Sequence, residues 1–293
     1  MNSLLKPRKF SEIYGKYSTF FFDLNGVLWY GRHVFKEAFE TLNLLHNQGK
    51  NIFFITNSST HTRERYRSVL ENNGYKTTVE HVYSASYFAP AYIKWKYPEI
   101  EKIYVVGRQG FIEEANNVGL KVVGGVEHDE KSVLHEEDFA KMPVDKDIKG
   151  VLVGEDMRFN FYKLGFASVC IQQNGAKLFA ANDDPYDYYG ERNIPSCGAL
   201  LKSIETAAQT EGINLGKPNK YALELIIQKY NLDRSKCIMI GDRLNADILL
   251  GKNAGVDTCL VLTGETKELR LELELANKNI VHPTHICRNL GFN

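Results

Sequence analysis

Asp23 stands where an apolar run ends and a turn begins. The segment reads Phe22-Asp23-Leu24-Asn25-Gly26, and two more phenylalanines precede it. A carboxylate at the carboxyl edge of a parallel sheet presents an oxygen nucleophile, which could attack phosphorus. The same residues also suit an ordinary turn, because aspartate bonds its own backbone and glycine relieves strain. This segment alone leaves both interpretations open.

Two further segments carry donors suited to an anion. Thr56, Asn57 and Ser58 follow the apolar run 51–55, and Lys217 stands between a glycine and a proline ahead of a helical pattern. Backbone N–H groups and hydroxyls at a strand end can hold an anion, and a fixed ammonium neutralises phosphate. The alternatives are a plain helix N-cap for the first segment and a solvated surface lysine for the second.

A fourth segment carries acids suited to a metal ion. Asp242 follows the apolar run 237–240, and Asp247 comes five residues later. Carboxylate oxygens at a strand end suit Mg²⁺, which prefers one or two carboxylates together with phosphate and water. The alternative is N-capping of the following helix by either aspartate.

Taken in order along the chain, these segments resemble the four motifs of the haloacid dehalogenase superfamily. The closest resemblance is to the group of 4-nitrophenylphosphatases, phosphoglycolate phosphatases and pyridoxal phosphate phosphatases, which carry a C2-type cap. The group's motifs read roughly DxDGVLW, [ST]NNS, GKP and GDRLxTD, and they stand here as DLNGVLW, TNSS, GKP and GDRLNAD. Three segments between the second and third motifs also match the group's cap: 159–164, 179–185 and 195–200.

The order of the secondary-structure patterns agrees with this resemblance. Strand and helix patterns alternate through residues 20–96, 102–181 and 221–262, which predicts an α/β fold built on parallel sheets. The resemblance implies a Rossmann-like core of residues 1–97 and 212–293 and an inserted α/β cap of residues 98–211. A chain of 293 residues is long enough for two such units.

The resemblance implies phosphoester hydrolysis through an aspartyl-phosphate on Asp23. Mg²⁺ is expected to bind Asp23, the main-chain carbonyl of Asn25 and Asp242, with Asp247 holding its waters or orienting Lys217. The expected ligands of the phosphate oxygens are Thr56, Asn57, Ser58 and Lys217.

Asn25 departs from the family pattern. The family's second aspartate stands at this position, where it protonates the leaving group and then activates water. An amide can do neither near neutral pH, and losing general acid–base catalysis typically lowers the rate by about 10²- to 10⁴-fold. We therefore expect reduced turnover. Asn25 is either native, marking a slow or non-catalytic relative, or an Asp→Asn change introduced to trap a bound state.

The substrate of such an enzyme would be a small phosphorylated metabolite, selected by the cap. By position, the candidate contacts are the acidic and aromatic residues of one segment: Asp184, Tyr186, Asp187, Tyr188 and Tyr189. A tyrosine-rich surface turn or a dimer contact is at least as good an interpretation of this segment. By analogy with relatives of this cap type, we also expect a homodimer formed through the cap.

Composition excludes some classes of partner. With 36 basic and 36 acidic residues the net charge is zero, which argues against nucleic-acid binding. No apolar stretch approaches membrane-spanning length. The five cysteines show no zinc-binding spacing and are expected to be reduced thiols in a cytoplasmic protein.

Two rival functions remain at this point. A dehalogenase of the same superfamily keeps the nucleophile and lacks the second aspartate, as Asn25 suggests, but that branch does not need the metal-binding acids retained at 242 and 247. The other rival is a catalytically inactive protein that binds phosphate or a metabolite in a vestigial site.

Overall fold

The computed structural model describes residues 6–189, 192–267, 271 and 281–292. Its strands are β1 (Thr19–Phe22), β2 (Trp29–Tyr30), β3 (His33–Val34), β4 (Asn51–Thr56), β5 (Val82–Ser84), β6 (Lys102–Val106), β7 (Lys121–Gly124), β8 (Ile148–Val153), β9 (Lys177–Ala180), β10 (Tyr186–Tyr189), β11 (Arg192–Pro195), β12 (Ile213–Asn214), β13 (Cys237–Gly241), β14 (Asp257–Val261) and β15 (His285–Cys287). Its α-helices are α1 (Lys36–Asn47), α2 (Arg63–Asn72), α3 (Ala85–Lys96), α4 (Gln109–Asn117), α5 (Glu136–Ala140), α6 (Phe161–Asn174), α7 (Cys197–Ala208), α8 (Tyr221–Lys229) and α9 (Leu249–Asn253).

The chain divides into two compact units. The first comprises the described residues of Met1–Thr56, Tyr66–Tyr83 and Lys217–Asn293, and the second comprises those of Asn57–Arg65 and Ser84–Gly216. Helix α3 thus belongs to the second unit by its contacts, although the boundaries expected from the sequence assign residues 85–96 to the core. Those sequence-based domain boundaries stay a prediction.

The first unit is built on a six-stranded sheet with the order β15-β14-β13-β1-β4-β5, in which the strands from β15 to β4 run parallel. Every residue of the central strand β1 is buried, because a strand covered on both faces needs a continuous apolar run, which Phe20–Phe22 supplies. The chain continues from β1 to β4 on one side, while β13 lies on the other side. The topological switch point of this sheet is therefore between β1 and β13, where ligands of such sheets usually bind.

The second unit is built on a five-stranded parallel sheet with the order β12-β9-β8-β6-β7. Strand β7 pairs with one edge of β6, and β8 pairs with the other, so the switch point of this sheet is between β6 and β8. Helix α6 begins where the Asn160 side chain accepts from the N–H of Lys163, and it ends at Gly175 in the left-handed conformation.

These sheets confirm the predicted α/β fold with a Rossmann-like core and a second α/β unit. The sequence patterns missed helix α7, the antiparallel pair β10–β11 and the edge strand β15. After β13, a π-helical turn over Leu244–Ile248 leads into α9. Within the described ranges, no helix is both long and apolar enough to cross a membrane.

Candidate active site

Asp23 lies directly beyond the end of β1 and is 6% exposed. Its backbone N–H donates to the carbonyl of Ile240 in β13 at 2.9 Å, which ties it to the switch point of the sheet. The chain then turns at Gly26, whose φ of 84° is a conformation that favours glycine. Asp23 therefore lies at the carboxyl end of the central strand, which is the position that the sequence predicts for it.

Lys217 bridges two of the predicted acids. Its Nζ donates to Asp23 Oδ1 at 2.6 Å and to Asp247 Oδ1 at 2.6 Å, and all three side chains are buried. Burial by itself would lower the pKa of Lys217, but the two carboxylates outweigh it and raise that pKa. Burial raises the pKa of Asp23 to about 6, against the lowering effect of the Lys217 charge.

The other acids follow β13. Asp242 comes directly after the strand, and Asp247 lies in the π-helical turn, where its Oδ2 accepts the N–H groups of Asp242 and Arg243 at 3.1 Å each. Gly241 leaves room for this contact, because a Cβ at that position would overlap the Asp247 side chain. Asp247 therefore organises the turn with one oxygen and holds Lys217 with the other.

The carboxylates fit a divalent cation. Oxygens of Asp23, Asp242 and Asp247 lie within 4.8 Å of one another, whereas the only buried cation contacting them in the described part of the chain is Lys217. Burial, then Asp247, then Asp23, raise the pKa of Asp242 well above its usual range. Such a buried excess of negative charge is the environment that Mg²⁺ stabilises through hard oxygen ligands.

A loop that the sequence patterns missed holds Asp242 in place. After β14, the N–H of Glu265 donates to Asp242 Oδ2 at 2.6 Å, and the Glu265 carboxylate pairs with Arg243 at 2.6 Å. The Thr263 hydroxyl donates to the carbonyl of Gly26 at 2.5 Å. A Cβ at Gly264 would overlap the Asp242 carboxylate. Only the glycine in Leu262-Thr263-Gly264 hinted at such a close approach.

Asn25 is exposed, although Asp23 two residues earlier is buried. Its side chain makes none of the hydrogen bonds described here. The amide is thus not locked into the carboxylate cluster, and its predicted role as a main-chain metal ligand stays a prediction.

The residues predicted to bind phosphate fall in both units. Thr56 ends β4 in the first unit and is 7% exposed. In the second unit, Asn57 Nδ2 donates to Asp184 Oδ2 at 3.0 Å, and the hydroxyls of Ser58 and Thr60 are 3.0 Å apart.

Asp187, the predicted substrate contact, lies on β10 in the second unit, where its Oδ2 accepts from the Ser196 hydroxyl at 2.9 Å. Within the first unit, the structure brings Asp23, Lys217, Asp242 and Asp247 together. The roles of Thr56, Asn57, Ser58 and Asp187 toward a substrate stay predictions.

Two known families match this chain, one over part of its first half and the other near its end. Residues 20–121 match a family described as haloacid dehalogenase-like hydrolase, and residues 214–291 match a second family described as HAD-hydrolase-like. Together these matches contain Asp23, Thr56, Lys217, Asp242 and Asp247.

Individual proteins match over most of the chain. Phosphoglycolate phosphatase 2 of Arabidopsis thaliana is 34% identical over 279 residues, which cover 94% of this chain and 92% of that protein. The 4-nitrophenylphosphatase of Schizosaccharomyces pombe is 32% identical over 268 residues, covering 90% of each. Among solved structures, the p-nitrophenyl phosphatase from Archaeoglobus fulgidus shares the fold with a TM-score of 0.80 at 23% identity, covering 94% of this chain and 97% of that one.

Proposed function

The chain belongs to the haloacid dehalogenase-like hydrolases, and we propose that it is a Mg²⁺-dependent phosphatase of small phosphomonoesters that acts through Asp23. The observation that carries this proposal is the buried cluster in which Lys217 Nζ lies 2.6 Å from both Asp23 Oδ1 and Asp247 Oδ1 beside Asp242. Relatives named for phosphoglycolate and nitrophenyl phosphate suggest the size and charge of the substrate.

In the proposed reaction, a carboxylate oxygen of Asp23 forms a bond to phosphorus while the ester P–O bond breaks and the alkoxide leaves. Water then attacks the phosphorus of the aspartyl-phosphate, which releases inorganic phosphate and restores the carboxylate. Lys217 holds the nucleophile in position through its contact with Asp23 and offsets charge that develops on phosphate oxygens.

Asp23, Asp242 and the carbonyl of Asn25 would hold Mg²⁺, with Asp247 behind them. When bound, the ion supplies positive charge that reduces repulsion between the carboxylate nucleophile and the phosphate dianion. The buried excess of carboxylates in this part of the chain supports that assignment.

Asn25 should limit the rate. A leaving alkoxide needs a proton and the hydrolytic water must lose one, and an amide provides neither service near neutral pH. Substrates with good leaving groups, such as 4-nitrophenyl phosphate, need the proton least in the first step. Hydrolysis of the aspartyl-phosphate should be slow for every substrate.

The test is steady-state hydrolysis of 4-nitrophenyl phosphate and 2-phosphoglycolate with Mg²⁺, for the parent chain and for Asn25→Asp. We expect the variant to be about 10²- to 10⁴-fold faster, with the larger gain on 2-phosphoglycolate. Asn47→Asp, the same change at an exposed position of α1, is the matched control and should leave the rates on both substrates unchanged. An Asn25→Asp protein no faster than its parent would contradict the role given to position 25.

The amide at position 25 also favours a second candidate function, that of an inactive relative that binds a phosphorylated metabolite. If neither the parent nor Asn25→Asp hydrolyses any phosphomonoester, and both bind inorganic phosphate in a Lys217-dependent manner, this second function is the correct one. Covalent phosphate on Asp23, detected by mass spectrometry after brief mixing with substrate, would exclude it.

A further inference from the structure

The second unit has an open groove at its own switch point. The groove has a volume of about 490 Å³ and lies outside the carboxyl ends of β6 and β8. Its lining includes the following residues: Thr60, His61, Arg65, Arg108, Val126 and Met157. We call it the arginine groove. Its volume is within the range of small-molecule sites, and its location is where ligands of open α/β sheets bind.

The backbone around the arginine groove is closely packed. A Cβ at Gly110 would lie 2.7 Å from the Thr60 carbonyl oxygen and 2.8 Å from His61 Cα, so the segment that carries His61 crosses directly over the start of α4. The buried Ser59 hydroxyl accepts the N–H of Glu155 at 2.8 Å, which fixes the same segment to the loop after β8. The groove is therefore formed before any ligand arrives, which lowers the entropic cost of binding.

Two arginines, Arg65 and Arg108, line the arginine groove together with His61. Burial lowers the pKa of His61, and the charges of Arg108 and Arg65 lower it further. Arg65 is exposed and takes part in none of the ion pairs among the described residues. Arg108 has a long ion pair with Glu155, at 3.6 Å, and its Nη2 donates to Met157 Sδ at 3.5 Å, while no side chain caps the first turn of α4 beside it.

Two of the three acids that line the arginine groove, Asp129 and Asp156, are paired with cations. Asp129 Oδ1 and Asp156 Oδ2 accept from the buried ammonium of Lys163 at 2.5 and 2.6 Å, and Asp129 also pairs with Arg158 at 3.3 Å. Glu113 accepts a hydrogen bond from the side chain of Gln109 at 3.0 Å. A ligand that enters the groove thus meets an arginine, Arg65, outside these ion pairs, whereas Asp129 and Asp156 already have cation partners and Glu113 keeps its charge.

The walls supply apolar surface. Met157 is 68% exposed and Val126 is 40% exposed, and large exposed apolar side chains beside fixed charges are typical of ligand sites. We propose that the arginine groove binds a small organic phosphate or phosphonate dianion, with its charged group between Arg65 and Arg108 and its carbon skeleton against Met157 and Val126. Two guanidiniums suit a phosphate or phosphonate dianion better than they suit a carboxylate monoanion. Each guanidinium can donate two hydrogen bonds to the oxygens of the dianion.

The test is isothermal titration of the full chain with phenylphosphonate, a dianion that carries a ring and cannot be hydrolysed as an ester. We expect Arg65→Gln and Arg108→Gln each to weaken binding by about tenfold or more, since each loses a charge-assisted hydrogen bond. Lys121→Gln removes an exposed positive charge at the amino end of β7 and is the matched control, for which binding should change less than about twofold. Circular dichroism establishes that each variant is folded.

The proposal would be overturned by the absence of phenylphosphonate binding at millimolar concentration, by binding that does not change with either arginine substitution, or by equally tight binding of benzoate. Binding that is lost in Lys217→Gln alone would place phenylphosphonate in the phosphatase site and would also overturn it. Because hydrolysis by Asp23 is measured separately, the proposed phosphatase function can stand or fall independently of the arginine groove.

Discussion

Each unit buries one lysine between two aspartates near the carboxyl end of its sheet. Lys217 contacts Asp23 and Asp247 at 2.6 Å each, and Lys163 contacts Asp129 and Asp156 at 2.5 and 2.6 Å. The geometries are nearly the same, but the surroundings differ. A third buried carboxylate, Asp242, joins the first cluster, whereas a second cation, Arg158, joins the second.

This difference separates a reactive cluster from a structural one. Formally the Lys217 cluster carries two excess negative charges, whereas the charges of Asp129 and Asp156 are matched by Lys163 and by the exposed Arg158, which also pairs with the exposed Glu130. Buried carboxylates whose charges are matched by cations hold their elements in one arrangement and have no electrostatic need for a further ion. An excess of buried carboxylate is stable only with protonation or a cation, which is the condition for binding Mg²⁺ and activating a nucleophile. The same lysine bridge thus serves two purposes.

Replacing each lysine by methionine, which has a similar volume, should separate these purposes most strongly. Lys163→Met leaves Asp129 and Asp156 without their shared cation and should lower the free energy of unfolding by about 3–5 kcal/mol. Lys217→Met should lower kcat of the folded protein by about 10²- to 10³-fold on 4-nitrophenyl phosphate. Urea denaturation followed by circular dichroism and steady-state kinetics measure the two effects.

The matched control for this pair is Lys149→Met, which replaces an exposed lysine on β8. The free energy of unfolding of this variant should differ from that of the parent chain by no more than about 0.5 kcal/mol. If Lys163→Met reduces kcat of the folded fraction as much as Lys217→Met does, the Lys163 cluster is not purely structural. If Lys163→Met is as stable as the parent chain, Lys163 does not stabilise the second unit.

The sequence predicted the reactive cluster better than the balanced one, for a physical reason. Asp23 and Asp242 each follow an apolar run, and the carboxyl ends of parallel strands meet at one edge, so their order along the chain was enough to expect proximity. Asp129 and Lys163 are 34 residues apart, and the lysine stands in a helical pattern where most lysines are solvated. Nothing in the residue types marked it as buried.

Backbone contacts were equally hidden from the sequence. Glu265 holds Asp242 through its N–H group, which every residue except proline possesses, so the residue type carries no signal. Gly264 is more informative in retrospect, because only a residue without a Cβ fits against the Asp242 carboxylate. The antiparallel pair β10–β11 was missed because Tyr186–Tyr189 is not flanked by a second apolar run.

The loop after β14 offers a finer test of the reactive cluster. Gly264→Ala should displace the Asp242 carboxylate and weaken Mg²⁺ binding by about 10- to 100-fold, as loss of a supporting contact around metal ligands typically does. Isothermal titration with Mg²⁺ measures this without reference to activity. Gly15→Ala is the matched control, since a Cβ there meets no atom within 4 Å. Unchanged Mg²⁺ affinity in Gly264→Ala would contradict the role of the loop.

A third charged cluster, at the amino ends of β14 and β15, should show the smallest effect. Asp257 Oδ2 accepts from Lys16 Nζ and from the Tyr17 hydroxyl at 2.7 Å each. Burial opposes the charge, but these hydrogen bonds outweigh it and hold the pKa of Asp257 below its usual value. Because the folded pKa is the lower one, the unfolded chain binds the proton more readily, and stability rises with pH through the interval between the two pKa values.

Asp257→Asn should therefore lower the free energy of unfolding by less than about 1 kcal/mol at pH 7, where the carboxylate is charged in both states. The difference should persist down to the unfolded pKa, about 4, and should shrink as the pH falls through the folded value. Urea denaturation between pH 3 and 7 measures it, with Glu40→Gln, an exposed acid of α1, as the control. A difference that grows on acidification would mean that burial, rather than hydrogen bonding, dominates at Asp257, and this cluster would then resemble the reactive one in kind.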